Sequence, residues 1–92
     1  QDDMGYALYQ AQLGHFPESA KALKGFSGVI EIISRFDTNT YRAVYATKLG
    51  DKIYVLHAFQ KKSKSGIKTP KEDIELIKRR LQTAKAIARG EV

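Results

Sequence analysis

The spacing of apolar side chains predicts a helix near each end of the chain. In residues 2–13 an apolar side chain recurs every three or four positions, and the stripe consists of Met4, Ala7, Leu8 and Ala11. Residues 70–89 have the same spacing, and their stripe consists of Ile74, Ile77, Leu81, Ala84 and Ala88. Gly14 and Gly90 follow the two stripes directly and are expected to end these helices.

The start of the second helix carries its own signal. Thr69, Pro70, Lys71 and Glu72 follow one another in the order of a capping box, with proline at the first helical position. We therefore predict that Thr69 caps the helix and that Pro70 is its first residue.

The pattern between the helices is that of strands. Three stretches, 29–36, 41–48 and 53–60, are rich in β-branched and aromatic residues. Short turn segments separate them, so the sequence predicts an antiparallel meander. Residues 15–28 contain Pro17, Gly25 and Gly28 and are typical of a connector, with at most a short turn near residues 19–23.

Apolar side chains occupy both alternating positions of the third predicted strand, with Ile53, Val55 and Phe59 on one face and Tyr54, Leu56 and Ala58 on the other. A sheet with this pattern is covered on one face and partly covered on the second. The prediction is a single α+β domain over residues 1–92, with a three-stranded antiparallel sheet packed with an N-terminal and a C-terminal helix. An N-terminal strand would make the sheet four-stranded.

Composition excludes several classes of function. The chain has no cysteine, which excludes disulfides, thiol catalysis and thiolate metal sites. No apolar run approaches the roughly 20 residues that span a bilayer, and no signal peptide is visible, so a cytoplasmic location is expected. His15 and His57 lie far apart without metal-ligand spacing, and no nucleotide-binding or serine-nucleophile motif occurs. No metal site and no cofactor are predicted.

The net charge of +6 is concentrated in one segment. Residues 48–71 contain a single acid, Asp51, and seven lysines: Lys48, Lys52, Lys61, Lys62, Lys64, Lys68 and Lys71. The rest of the chain is neutral in balance. A small domain that concentrates positive charge in this way is a candidate polyanion binder, and the alternative is a solvated loop that keeps the protein soluble.

Several other side chains on the predicted strands are candidates for the functional site, and each also has a purely structural interpretation. Arg42 lies among apolar residues in the middle of a strand and either reaches the sheet edge or lines a functional surface. His57 is more often a half-buried structural histidine than a catalyst. For Arg35 the structural alternative is an ion pair with Glu31 across two strands. The strand aromatics are expected in the core, and any that faced outward would be able to stack on RNA bases: Tyr41, Tyr45, Tyr54 and Phe59.

Two longer stretches resemble a known family. LKGFSGVIEI and NTYRAVYATKLGDKIYVLHAFQKKSKSGIKTPKEDIELIKRRL are similar to the RelE/HigB superfamily of toxins, and most closely to its phage-derived HigB-like branch. The resemblance covers about Asp2 to Leu81, and YVLHAFQKKSKSG followed by TPKEDIEL is its most specific part. It implies a compact α+β fold with the helices packed on one face of an antiparallel sheet.

The resemblance also implies an activity. Such toxins enter the decoding site of the ribosome and cut the mRNA codon there without a metal, by attack of a 2′-hydroxyl on the adjacent phosphate. Carried over to this chain, Arg42 and Lys61 would stabilise the phosphate and the transition state. Lys62 and Lys64 would bind RNA or transfer protons, and His57 is a further proton-transfer candidate. Further RNA contacts are expected from Lys48, Lys68 and Arg35.

The resemblance departs from its family at two points. The superfamily normally begins with an additional strand and helix, whereas this chain starts in the helix region, so one sheet edge is expected to be exposed and available to a second copy. The basic or tyrosine residue that many relatives carry in the last segment has no clear counterpart after Lys64.

The implied partner is a helix-turn-helix antitoxin that covers the basic groove, and a homodimer or a toxin–antitoxin heterotetramer is the possible assembly. Two other interpretations stay open. One is a catalytically silent member that binds its antitoxin and acts as co-repressor on DNA. The other is a phage structural or regulatory protein with an incidental basic loop.

Overall fold

The computed structural model describes residues 3–36, 39–61 and 69–91. Two helices and four strands follow one another along the chain: α1 (Asp3–Gln12), β1 (Ala20–Ala22), β2 (Val29–Phe36), β3 (Asn39–Leu49), β4 (Lys52–Lys61) and α2 (Lys71–Ala88). The strands form one sheet in the order β1-β2-β3-β4, and every neighbouring pair is antiparallel. The predicted α+β class is confirmed, with one helix before the sheet and one after it.

The fourth strand comes from the segment that we interpreted as an irregular connector. β1 is three residues long and pairs with β2, with Ala20 opposite Ile32 and Ala22 opposite Ile30. The prediction of a connector or turn was wrong here because the sequence Ala-Lys-Ala has no strand preference of its own. Pairing with β2 satisfies backbone groups at an edge that would otherwise lack a partner, so β1 covers part of the edge that we expected to be exposed.

The helices lie on opposite faces of the sheet. α1 packs its buried Ala7 and Ala11 against Ile32 and Tyr45, and α2 packs its apolar stripe in a second cluster that contains Val44. Because Ile32 and Val44 lie on opposite faces of the sheet, the expectation that both helices share one face was wrong. The apolar residues at both alternating positions of β4 had indicated at least partial cover of the second face.

The ends of α2 differ slightly from the prediction. Pro70 is the N-cap residue rather than the first helical residue, and no side chain caps the helix. The N-cap is therefore one residue later than predicted, and the predicted capping box was wrong. Glu72 and Asp73 lie in the first turn, where negative charge is favourable, and Gly90 follows the helix with a positive φ of 77°, as the sequence indicated. In the part of the chain that the structure describes, neither helix is long and apolar enough to cross a membrane.

Two isoleucines of α2 allow a test of the packing on this face. Ile77 is fully buried and Ile87 is 44% exposed. We expect Ile77→Val to lower the free energy of unfolding by about 0.5–1.5 kcal/mol, because it removes one methylene from a packed core. Ile87→Val is the matched control and should change it very little. Urea denaturation measures both, and equal effects of the two substitutions would contradict the placement of α2.

Candidate functional site

A buried ion pair joins β2 to β3 beneath α2. The Arg42 Nη1 donates a hydrogen bond to the Glu31 Oε2, and the two side chains are only 4% and 2% exposed. In the register of β2 and β3, Arg42 is opposite Ile33 and Glu31 is opposite Val44, so the two are diagonal neighbours on the α2 face. We call Glu31 and Arg42 the floor pair.

The predicted pairing of Glu31 with Arg35 was wrong. Both residues belong to β2, so they are four positions apart on one strand and are not opposite each other across two strands. Arg35 is exposed and lies opposite Thr40. Among the described residues, Arg42 on β3 is the cation that pairs with Glu31.

A histidine–carboxylate hydrogen bond joins the sheet to the start of α2. The His57 Nε2 lies 2.8 Å from the Asp73 Oδ1, and the side chains are 14% and 24% exposed. Because a carboxylate only accepts, His57 Nε2–H is the donor and Nδ1 is the ring nitrogen left to exchange a proton with a ligand. A register shift between β3 and β4 places Leu56 in the bulge beside His57, so Leu56 packs in the core while His57 meets Asp73.

The ring of Phe59 stacks on the ring of His57 and restricts its orientation. The rings of His57 and Phe59 are stacked, with centroids 4.6 Å apart and planes 19° from parallel. Phe59 is directly opposite Arg42 in the sheet. The floor pair and the His57–Asp73 pair are therefore neighbours on one face, and we call these four residues, together with Phe59, the α2-face site.

A cleft of about 630 Å³ lies above the floor pair, between β1 and the start of α2. Glu31 of the floor pair lines this cleft, together with Thr69 and Ile74. Two exposed lysines, Lys21 in β1 and Lys24 just after it, also line it. This volume is in the range of small-molecule sites, and the lysines give the rim a positive charge.

The predicted RNA-binding lysines separate into two groups. The backbone of Lys61 ends β4 opposite Thr40, two positions beyond the Phe59–Arg42 pair, so it lies at the same end of the sheet as the α2-face site. Lys62, Lys64 and Lys68 lie outside the described residues. Lys48 lies at the far end of β3, six residues from Arg42, a distance of about 20 Å along a strand. The structure therefore does not bring Lys48 to this site.

The strand aromatics are mostly core residues. Tyr45 is 1% exposed, and Tyr54 and Phe59 pack against the cluster beneath α2. Tyr41, at 36% exposed, is the one of the four that presents an appreciable surface to solvent. Base stacking by Tyr45 is therefore not possible in this conformation, as the more conservative interpretation anticipated.

The α2-face site has the chemistry of a proton-transfer site beside a positive rim. His57 is positioned on both sides, by Asp73 and by Phe59, which is how a general acid or base is held in a fixed orientation. The charge of Arg42 is offset by Glu31. Among the described residues, no group of three or more His, Asp or Glu side chains lies close enough together to hold a metal ion.

Sequence reasoning missed Asp73 and the partner of Glu31, and it missed the two lysines in and after β1, Lys21 and Lys24. Asp73 carried a weak signal, since a carboxylate in the first turn of a helix that follows the last strand is able to reach a histidine on that strand. Lys21 and Lys24 had none, because their contribution depends on β1, whose pairing is not encoded locally.

Comparison with protein families shows which family the chain belongs to. Residues 1–82 match the family model "Phage derived protein Gp49-like (DUF891)", which is most of the chain. No curated protein matches the chain. No solved structure matches it either. The chain belongs to the Gp49-like family of phage-derived proteins, a family associated with RelE/HigB-like toxins.

Proposed function

We propose that this protein is the toxin of a type II toxin–antitoxin pair, of the HigB-like branch, and that it is an endoribonuclease that cuts mRNA on the ribosome. Membership of a family associated with such toxins supports the first half of this proposal. The observation that carries the second half is the His57–Asp73 pair beside Arg42, at the end of the sheet where the lysine-rich segment leaves β4.

The reaction needs a proton acceptor, a stabiliser of negative charge and a proton donor. A base takes the proton of the 2′-hydroxyl, and the 2′-oxygen forms a bond to phosphorus. The bond from phosphorus to the 5′-oxygen then breaks, and that oxygen takes a proton, which leaves a 2′,3′-cyclic phosphate and a 5′-hydroxyl. We assign one proton transfer to His57, which Asp73 keeps in a single tautomer and orientation.

Charge on the phosphate is assigned to lysines and to Arg42. Lys61 follows Phe59 at the end of β4, and Lys21 and Lys24 line the cleft above the floor pair. Lysines around a phosphate act as point charges that stabilise the extra charge of the transition state. Arg42 lies beneath the cleft and is paired with Glu31, which offsets much of its charge. Its contribution to orienting the RNA is therefore smaller than that of the lysines.

The Glu31 carboxylate favours a second candidate, a catalytically silent member that binds its antitoxin and acts as co-repressor on DNA. A buried arginine that is paired with a buried carboxylate is a structural element in many folds, and it needs no substrate. In this candidate the positive rim binds an acidic partner rather than RNA.

We propose that the partner in either case is a helix-turn-helix antitoxin that covers the cleft lined by Lys21 and Lys24. An acidic segment of the partner would neutralise the rim and exclude RNA at the same time. Co-expression with the antitoxin should therefore remove the effect of the protein on growth.

Induction in a bacterial host separates the two candidates. We expect wild-type protein to arrest growth and to produce cuts inside translated codons of a reporter mRNA, as mapped by primer extension. The double variant His57→Gln/Lys61→Ala should lose both effects, because it removes a proton-transfer group and a phosphate cation. Lys78→Ala, on the exposed side of α2, is the control that removes one positive charge elsewhere and should behave as wild type.

Circular dichroism of each purified variant confirms that it is folded. A folded wild-type protein that is well expressed and produces neither arrest nor cuts would refute the ribonuclease and leave the co-repressor. Cuts that persist at the wild-type level in the double variant would instead show that the chemistry lies outside the α2-face site.

A further inference from the structure

A second cleft lies on the opposite face of the sheet and at its opposite end. It has a volume of about 530 Å³ and lies between the end of α1 and the turn that joins β3 to β4. Its volume is in the range of nucleotide-sized ligand sites. None of the residues of the α2-face site lines it.

The wall of this cleft is tied together by the side chain of Gln12. The backbone N–H of Ile53 donates to the Gln12 Oε1 over 3.3 Å, and the Gln12 Nε2 donates to the carbonyl oxygen of Asp51 over 3.5 Å. These two bonds join the last turn of α1 to the β3–β4 turn, although 39 and 41 residues separate the partners in the chain. The cleft is therefore a built feature of the fold and not a gap between independent loops.

Aromatic side chains form the lip and the floor. Phe16 lines the cleft with 64% of its side chain exposed, the most exposed of the large apolar residues in the described part of the chain. Tyr45 lies at the floor, and burial raises the pKa of its phenol, so it keeps its proton at neutral pH. An exposed phenylalanine at the mouth of a cleft offers a flat apolar surface on which a ligand ring can stack.

Two lysines and one acid give the cleft its charge. Lys48, Lys52 and Asp51 all line it, and Asp51 also accepts the bond from Gln12 through its backbone. Lys48 has a positive φ of 63°, a left-handed conformation that is costly for a residue with a side chain. In this conformation the side chain of Lys48 lies beside Gly28. A Cβ added to this glycine would be in ordinary van der Waals contact with the Lys48 Cδ, at 4.0 Å. A glycine at position 48 would form the same turn without strain, so a lysine held there at a cost in backbone energy is a candidate for a role of its charge.

We propose that this cleft binds one nucleotide of single-stranded RNA, with the base on Phe16 and the phosphate between Lys48 and Lys52. This proposal rests on the proposed function, because both take RNA as the ligand. It adds a second RNA contact about 20 Å from the α2-face site, measured along β3. RNA that is held at both places gains affinity from two linked contacts. An acidic peptide would satisfy the two lysines but would leave the exposed Phe16 without a ring to stack on.

The test measures binding directly and does not depend on cleavage. The full chain is titrated into a fluorescent 2′-O-methyl oligoribonucleotide of about ten nucleotides, which cannot be cut by 2′-hydroxyl attack and is long enough to reach both contacts. We expect Phe16→Ala to weaken binding by about fivefold to a hundredfold, the range for loss of one base stack. Tyr9→Ala is the matched control, because Tyr9 is 61% exposed on the outer side of α1, and its affinity should be unchanged.

Lys48→Gly separates a binding role from a turn role. It should raise the thermal midpoint, because it relieves the left-handed strain, and at the same time lower the slope of log affinity against log salt by about 0.7, the contribution of one phosphate contact to a single strand. Lys78→Ala should leave the slope unchanged. A variant that is more stable yet binds RNA less tightly cannot be explained by damage to the fold.

Three results would overturn the proposal: equal affinities for Phe16→Ala and Tyr9→Ala, an unchanged salt slope for Lys48→Gly, or no RNA binding by the wild type. Competition by poly-glutamate that is insensitive to Phe16→Ala would assign the cleft to an acidic peptide instead. Failure of this proposal can be distinguished from failure of the proposed function. If the wild type arrests growth and the cleft variants bind RNA normally, only the cleft proposal is refuted. If the wild type cuts no mRNA but the cleft variants lose RNA binding, only the ribonuclease proposal is refuted.

Discussion

Replacing Arg42 by methionine is expected to lower the free energy of unfolding by about 3–5 kcal/mol. Methionine fills a similar volume but leaves the Glu31 carboxylate, which is 2% exposed, without the cation that compensates it. A buried carboxylate in that state must either stay charged at a high cost in solvation or take up a proton. Urea denaturation at neutral pH measures the loss.

The matched control for this prediction is Arg79→Met, on the exposed side of α2, which should change stability by less than about 0.5 kcal/mol. The double variant Arg42→Met/Glu31→Leu should recover most of the loss, because replacing both members of a buried ion pair by apolar residues is often neutral or stabilising. A loss below about 1 kcal/mol in Arg42→Met would contradict the buried pair as the structure has it.

The double variant also decides what Arg42 does. Arg42→Ala alone would confuse loss of function with loss of folding. A folded Arg42→Met/Glu31→Leu protein that still arrests growth would show that the floor pair is structural and that the cations of the rim suffice. A folded protein that no longer cuts RNA would show that Arg42 stabilises the phosphate, as the family resemblance implied.

His57→Gln is expected to slow cleavage of ribosome-bound mRNA by about 10²–10⁴-fold, the usual contribution of a general acid or base. Glutamine retains a polar group near Asp73 and fits beside Phe59, so the loss should not come from unfolding. Single-turnover cleavage of a programmed ribosome complex, at saturating protein, isolates the chemical step from binding.

Asp73→Asn is the companion variant for the histidine. It keeps an acceptor for the His57 Nε2–H but removes the charge, so its rate should lie between those of the wild type and His57→Gln. Unchanged RNA binding in both variants is expected, since neither removes a cation of the rim. A wild-type rate in His57→Gln would exclude the histidine from proton transfer and assign it to the structural role that lone strand histidines usually have.

Much of the fold was predictable because its signals are local. The bounds of β2 agree with the predicted 29–36, and β3 and β4 extend the predicted strands by only one or two residues at either end. Apolar spacing also identified the three residues of α2 that are buried in the core, Ile77, Leu81 and Ala84, although the predicted stripe also included Ala88, which is exposed. These features depend on side-chain period and turn residues, which neighbouring positions in the sequence already contain.

The composition of the α2-face site was only partly predictable. Arg42 and His57 were identified as candidates, but their partners Glu31 and Asp73 lie 11 and 16 residues away along the chain and on other elements. A bulge in the register of β3 and β4 is what aims His57 at α2. No local pattern predicts a bulge of this kind, so the pairing depended on the assembled sheet.

The sequence by itself determined the α+β class, the order of the main elements and the excess of positive charge in residues 48–71. Only the tertiary structure decided how that charge is distributed. Antiparallel pairing of β3 with β4 places Lys48 and Lys52 at one end of the sheet and Lys61 at the other, about 30 Å from Lys52 along β4. The pairing of β2 with β3 buries Arg42 against Glu31, and the pairing of β1 with β2 brings Lys21 and the nearby Lys24 to the rim. Charge along a chain is a property of composition, whereas the field that a ligand meets depends on which strands are neighbours and on which cations a buried carboxylate offsets.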